Sequence, residues 1–386
     1  MSGPPIPDRI RSLTPYKPGR PIEEVERELG ISGSIKIASN ENPLGPSPLA
    51  LAALAQALPG IHRYPDGGAV VLAEKLGGQL GLDPRRLVFG NGSNEILELV
   101  CRMLAGPGDE VLFSADAFLV YPLVTIAVGA TAVRVPPRGF EHDLDAMAER
   151  ISPRTRVIFV ANPNNPTGTI VRRQEWERFL ARVPDHVAVV LDEAYFEFVD
   201  DELYPDGMTY LERHPGLVVT RTFSKIHGLA GLRIGYGAGS FEMIDGMARL
   251  RQPFNVNLLA QVAAAAALDD VEHVEASRRL VRESKARWAA AFGRLGLEAV
   301  PTHANFVLVK VGRGADVTDR LLRLGVIVRP MDAYGFADHI RITFGTPAED
   351  ERAIAALATV LDGAGGQLEA VHDGMADARG IEGARR

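Results

Sequence analysis

Short apolar runs alternate with amphipathic stretches through the first two thirds of the chain. The first runs are 86–90 (RLVFG), 110–114 (EVLFS) and 130–136 (ATAVRVP), the last alternating as a strand does. The next three, 156–163 (RVIFVANP), 187–195 (VAVVLDEAY) and 216–224 (GLVVTRTFS), are near-continuous and rich in β-branched residues. Such runs predict strands covered on both faces, and several of them predict a mostly parallel sheet. Between them lie a helix predicted from about Asn94 to Leu104, the stretch YPLVTIAVGA (121–130) and the helical pattern RRQEWERFLARV (172–183). These segments are long enough to serve as crossovers, so the pattern is α/β.

The pattern changes after RQPFNVN (251–257). Helices are predicted over 258–268 and roughly 271–295, followed by the apolar run NFVLVKV (305–311), a helix at about 315–324, and the runs GVIVRP (325–330) and HIRITFG (339–345). A final helix begins with Thr346 as N-cap, Pro347 at the first helical position and Glu349 completing a capping box. The shorter strands and flanking helices predict a second, smaller α/β domain. A length of 386 residues also favours two domains over one core. The expected division is an N-terminal segment, 1–45, joining the small domain; a large domain, 46–257; a small C-terminal domain, 258–363; and a Gly/Ala-rich polar tail, 364–386, expected to be mostly disordered.

Apolar residues make up 46% and charged residues 24% of the chain, the balance of a globular protein. The net charge is −7 and Lys and Arg form no dense run, which argues against a nucleic-acid or anionic-membrane partner. Cys101 is the only cysteine, so no internal disulfide can form, and its setting, ILELVCRML, reads as a buried helix face. The N-terminal stretch is rich in Pro and Arg and lacks the apolar core of a signal peptide. The longest uncharged apolar stretch, 257–268, is too short to span a bilayer. A cytoplasmic protein is the expectation.

Open α/β sheets bind ligands at the carboxyl ends of their strands, so the residues after each run are informative. NGSNE (91–95) follows the first run and opens a helix; its glycines allow a tight turn and its free N–H groups suit a phosphate, although an ordinary capped turn has the same look. Glu95 stands where a dinucleotide fingerprint has its third glycine, which argues against that motif. NPNNPTGT (162–169) places Asn164 and Asn165 at the same edge, within what is otherwise turn composition. Asp192 ends an apolar run and needs a cation or hydrogen bonds there, whereas alternation turns Glu193 away. Lys225 lies just past another run, between Ser224 and an apolar residue. A lysine drawn into a poorly solvated cleft loses its proton readily and becomes a nucleophile toward carbonyls. Thr222, Ser224 and Arg233 add phosphate-scale donors. Singly, each residue has a structural explanation. Together, four strand ends supply a phosphate cradle, an amide donor, a buried acid and a reactive lysine, the set that pyridoxal 5'-phosphate requires.

These residues resemble the fold-type-I, class I/II aminotransferases, in their histidinol-phosphate aminotransferase branch. The resemblance is carried by SNENPLGPSP (39–48), RYPDG (63–67), GNGSNEIL (90–97), NPNNPTGT, LDEAYFEF (191–198), TFSKIHGLAGLRIGYG (222–237) and VRPMDAYGFADHIRITFGTP (328–347). It implies a large domain with a mostly parallel seven-stranded sheet beside a smaller α/β domain. It implies that Lys225 holds the cofactor aldehyde and shuttles the α-proton, and that Asp192 pairs with the ring nitrogen. Asn165 and Tyr195 would contact the phenolic oxygen and Phe118 would stack on the ring. Ser93, Asn94, Thr222, Ser224 and Arg233 would hold the phosphate. Tyr64 would reach the neighbouring subunit's cofactor, which implies a homodimer with shared sites. Tyr16, Asn42, Arg329 and Arg341 would line the substrate pocket; for Arg341 the competing reading is a salt bridge with Asp332 or Asp338. His227 stands where many relatives carry tyrosine and reads as structural.

The function implied is transamination of L-histidinol phosphate with 2-oxoglutarate. An aromatic amino-acid aminotransferase of the same branch is the nearest alternative. A phospho-amino-acid decarboxylase keeps the cofactor but changes the reaction. An NAD(P)-binding oxidoreductase built on GNGSN and a non-catalytic descendant of the fold are further removed; the absent third glycine argues against the former, and the presence of both Lys225 and Asp192 against the latter.

Overall fold

The computed structural model describes residues 4–15 and 18–376. Its centre is a seven-stranded sheet. The strands are β1 (Leu87–Gly90), β2 (Glu110–Ser114), β3 (Thr131–Val135), β4 (Thr155–Ala161), β5 (Ala188–Asp192), β6 (Leu217–Thr222) and β7 (Gly235–Ala238). Their spatial order is β1-β7-β6-β5-β4-β2-β3. All neighbours run parallel except β7, which is antiparallel to both β1 and β6. The uninterrupted apolar runs are explained by burial on two faces. In β4, Val157 and Phe159 face one core with Ile96, Val100 and Tyr121, while Ile158 and Val160 face another with Leu72, Trp176 and Phe179. Successive side chains of a strand point to opposite sides, so one strand serves both layers.

β7 was not predicted. Its sequence, GYGA, is half glycine, a composition with little strand preference. The glycines have a packing role instead. A Cβ on Gly235 would lie 2.4 Å from the Ser93 nitrogen, and one on Gly237 would lie 2.8 Å from the Ile96 side chain. Their absence lets the Ser93–Leu104 helix settle directly on the sheet.

A second core surrounds a three-stranded antiparallel sheet of β8 (Phe306–Lys310), β9 (Arg329–Pro330) and β10 (His339–Thr343), in the order β9-β10-β8. The run 325–330, expected as one strand, is split: Val326–Ile327 pairs in parallel with Ile35–Lys36, and only Arg329–Pro330 joins β10. One short segment thus serves two sheets, which periodicity cannot show. The final helix opens with the expected capping box: Thr346 N–H donates to Glu349 at 2.8 Å, and Glu349 N–H donates to the Thr346 hydroxyl at 3.3 Å. The helix runs from Pro347 to Ala376, past Gly363, where disorder was expected to begin. No proline interrupts 364–376, and its Gln, Leu, Glu and Ala residues favour a helix despite Gly365, Gly366 and Gly374. Residues 377–386 lie outside the described residues.

Candidate active site

A cavity of about 340 Å³ opens at the carboxyl ends of β4, β5 and β6, between the large sheet and β9 and β10. Of the expected site residues, Ser93, Asn94, Phe118, Asn165, Asp192, Tyr195, Thr222, Ser224, Lys225, Arg233, Arg329 and Arg341 all line it. Tyr64 does not: it is 83% exposed and stacks on Phe254 at 4.8 Å. Asn42, expected to line the substrate pocket, is not among the residues lining this cavity. Its amide donates to the Ile226 carbonyl and to the Ser277 hydroxyl, both at 2.8 Å, so it satisfies a carbonyl beside Lys225 instead of facing a ligand. Tyr16 lies outside the described residues.

Lys225 follows β6 and donates from Nζ to the Ser39 carbonyl at 3.2 Å. Burial, helped by the nearby Arg341 charge, pushes its ammonium from the ordinary 10.5 down to about 8. Asp192 ends β5 and is 5% exposed. Its carboxylate accepts from the Tyr121 hydroxyl at 2.9 Å and the Thr220 hydroxyl at 3.0 Å. Burial still holds this carboxyl above its ordinary range, against the pull of those donors. Both donors are neutral, so a cationic ring nitrogen would complete the set. Tyr121 and Thr220 were not anticipated, although a tyrosine within the apolar helix Val120–Val128 must find a partner for its hydroxyl. Glu193 points the other way, as alternation predicted, and takes two bonds from Arg221 at 2.9 and 2.7 Å.

At one end of the cavity a glycine turn, a helix start and the Arg233 side chain come together. Gly92 has φ +73° and precedes the Ser93–Leu104 helix; a Cβ there would lie 2.7 Å from the Arg233 guanidinium. Arg233 itself adopts φ +58°, a left-handed conformation that costs free energy away from glycine and recurs at functional sites. Glu95, which counted against a dinucleotide fingerprint, ties the loop down: its carboxylate accepts from the Asn91 N–H at 2.6 Å and from the Asn255 amide at 3.1 Å. The buried Ser224 hydroxyl lines the cavity and has no hydrogen-bond partner among the described residues. An orphaned donor beside a helix start and a guanidinium fits a phosphate.

At the opposite wall, the Asn40 amide donates to the Tyr195 hydroxyl at 2.9 Å. The tyrosine's own proton is left for an oxygen within the cavity. Arg341 donates to Asn165 Oδ1 at 2.5 Å and to the Ala38 carbonyl at 2.8 Å. The first bond orients the Asn165 amide so that its NH2 is free to serve as a donor. Asp338, a candidate partner for Arg341, is instead 2.6 Å from His339 and 3.9 Å from Lys310. Arg329 stands directly opposite Arg341 in the β9–β10 register. His227 is buried against Phe223, and burial pushes its imidazolium down to about 4. These groups fit pyridoxal 5'-phosphate at its aldehyde, ring nitrogen, phenolic oxygen and phosphate.

Comparison with known proteins agrees with this geometry. Residues 32–357 match the family model for aminotransferase class I and II. The chain is 49% identical over 354 residues to histidinol-phosphate aminotransferase 1 of Nitrosococcus oceani, covering 92% of this chain and 96% of that protein. It is 49% identical over 359 residues to the histidinol-phosphate aminotransferase of Anaeromyxobacter sp. strain Fw109-5, covering 92% and 99%. Among solved structures, the histidinol-phosphate aminotransferase of Sinorhizobium meliloti in complex with pyridoxal 5'-phosphate superposes with a TM-score of 0.86 at 27% identity, covering 94% of this chain and 99% of that one. Matched along most of its length by a family model and by relatives at nearly half identity, and holding a lysine, a buried aspartate and a phosphate cradle around one cavity, this chain belongs to the class I and II aminotransferases.

Proposed function

We propose that this chain is a pyridoxal 5'-phosphate-dependent transaminase that exchanges an amino group between L-histidinol phosphate and 2-oxoglutarate, giving imidazole-acetol phosphate and glutamate, a step of histidine biosynthesis. When bound, the cofactor supplies an aldehyde for the amino group and a ring that accepts the electrons released with the α-proton. Ser93, Asn94, Thr222, Ser224 and Arg233 hold its phosphate, and Phe118 covers one ring face. Asp192 keeps a proton on the ring nitrogen, while Tyr195 and Asn165 donate to the phenolic oxygen. Lys225 Nζ would hold the cofactor's aldehyde, and its amine is the base placed to take the donor's α-proton. A basic amine at about 8 is suited to both tasks near neutral pH.

The observation that carries the substrate reading is the pairing of Arg329 with Arg341 on adjacent strands, both facing the cavity. An anion placed between two guanidinium groups that face one cavity is attracted by both. A phosphate dianion has oxygens enough for two guanidinium forks, whereas a carboxylate is satisfied by one. Arg329→Ala is therefore expected to impair the histidinol phosphate half-reaction by roughly 30- to 1,000-fold in kcat/KM, with a much smaller loss for glutamate. Arg341→Ala impairs both. Single-turnover rates with each donor decide the matter. Equal losses in Arg329→Ala would remove the phosphate reading and favour an aromatic amino-acid substrate.

The same reading includes a homodimer with shared sites. Tyr64 is presented to solvent, and between residues 49 and 71 Leu49, Leu51, Ile61 and Val71 are exposed as well, apolar side chains whose burial against a second copy would be favourable. We place the enzyme in the cytoplasm; no helix among the described residues is long and apolar enough to cross a membrane.

A further inference from the structure

Three consecutive residues, Ala38, Ser39 and Asn40, each touch a different functional group of the cavity. The Ala38 carbonyl accepts from Arg341, the Ser39 carbonyl from Lys225, and the Asn40 side chain donates to Tyr195. Only Asn40 acts through its side chain. It is 1% exposed and holds φ +56°, the left-handed region that asparagine tolerates better than other residues with a Cβ. Every polar atom of Asn40 is used. Its N–H donates to the Thr343 hydroxyl at 2.9 Å, and that hydroxyl donates back to Asn40 Oδ1 at 3.1 Å. Its carbonyl accepts from the Asn305 amide at 3.1 Å. Thr343 ends β10, the strand that carries Arg341, and Asn305 precedes β8. The reciprocal bonds to Thr343 identify Oδ1 as the acceptor, so Nδ2 must be the atom facing Tyr195.

We propose that Asn40 is a positioning residue that sets the direction in which Tyr195 donates its proton. This inference rests on the cofactor reading above. A phenol hydroxyl has one proton and two lone pairs, and unrestrained it rotates to suit any neighbour. The Asn40 amide occupies a lone pair on the wall side. The Tyr195 proton is then left for an acceptor on the cavity side, where the cofactor's phenolic oxygen would lie. The amide also makes the hydroxyl a better donor, because accepting one hydrogen bond polarises the O–H for the next. Through Thr343, the same residue keeps Tyr195 in register with the strand that carries Arg341.

The test uses the cofactor-loaded protein and reads its visible absorbance against pH. A donor to the phenolic oxygen favours that oxygen's ionised form and lowers the pH of the transition. Asn40→Gly removes the amide while keeping φ +56° accessible at no steric cost. The expected result is a transition displaced upward by about 0.5–1 pH unit, with weaker cofactor retention in equilibrium dialysis. Tyr195→Phe separates positioning from structure. In that background the Asn40→Gly displacement should vanish, because the group through which Asn40 acts is gone. A displacement of equal size in both backgrounds would overturn the proposal and make Asn40 a structural residue. An Asn40→Gly protein that titrates as wild type would overturn it too, while leaving the transaminase reading intact. A wild-type protein that takes up no pyridoxal 5'-phosphate overturns both.

Discussion

At Lys225 two demands compete. Solvated lysines keep their proton to about 10.4, so only about one in 2,500 is neutral at pH 7. Burial beside Arg341 lowers this residue to about 8, and roughly one molecule in ten is then ready to attack a carbonyl at pH 7. When cofactor-free protein is mixed with pyridoxal 5'-phosphate, the initial rate of visible-band formation should rise nearly tenfold per pH unit below pH 8 and level off above it; a midpoint near 10.5 would mean that Lys225 is solvated like any other. The stability consequence has a definite sign. The unfolded chain holds this proton up to about 10.5 and the folded chain releases it near 8, so Lys225 opposes folding most below pH 8, and the penalty fades as pH rises through that window. Lys225→Met should therefore raise the Tm of the cofactor-free protein at pH 7, with a gain that narrows toward pH 10. Lys225 and Asp192 were legible because each ends an apolar run, where a charge needs a reason. Asn40 was not, because its partners Tyr195 and Thr343 are distant in sequence and nothing local marks the contact.

Among the elements, the glycines of β7 decide how closely the Ser93–Leu104 helix approaches the sheet. Gly235→Ala would place a methyl group 2.4 Å from the Ser93 nitrogen, a backbone atom that cannot step aside alone. The helix start would have to shift, at a cost of about 1–3 kcal/mol in stability, and cofactor affinity should fall with it. Gly78, on the exposed side of the Val70–Leu80 helix, has nothing within 4 Å of its Cβ position. Gly78→Ala should stabilise by about 0.5–1 kcal/mol through helix propensity and a less free unfolded chain. Urea midpoints and cofactor titrations of the two variants make the comparison; equal behaviour would mean that helix contact at β7 is not limiting. The capping box at Thr346 was readable from four residues, because its partners are adjacent in sequence. The β7 strand was not, since a glycine-rich strand takes its conformation from the β1 and β6 neighbours that flank it.

At the scale of the whole molecule, Tyr64 lies on the surface, away from its own cavity, and the homodimer proposal gives it a role beside a second copy. Mixing Tyr64→Phe chains with Lys225→Ala chains tests this. In the mixed dimer, the one site that retains Lys225 belongs to the Tyr64→Phe chain. With shared sites it draws an intact Tyr64 from its partner, so its cofactor retention should match wild type. A Tyr64→Phe defect at that site would place the tyrosine within its own chain and end the shared-site proposal.

Local composition and period determined the parallel strands, most of the helices that were predicted, the capping box and the residues at each strand end, because those signals arise within a few neighbours along the chain. The family resemblance added what each strand-end residue would do. Only the tertiary structure decided which of them meet. It split 325–330 between two sheets, set Arg329 opposite Arg341, turned Asn42 toward Ile226 and brought Tyr121 and Thr220 onto Asp192 and Asn40 onto Tyr195. Hydrogen-bond partners separated by tens or hundreds of residues depend on register and layer packing, and no periodicity within one segment encodes either.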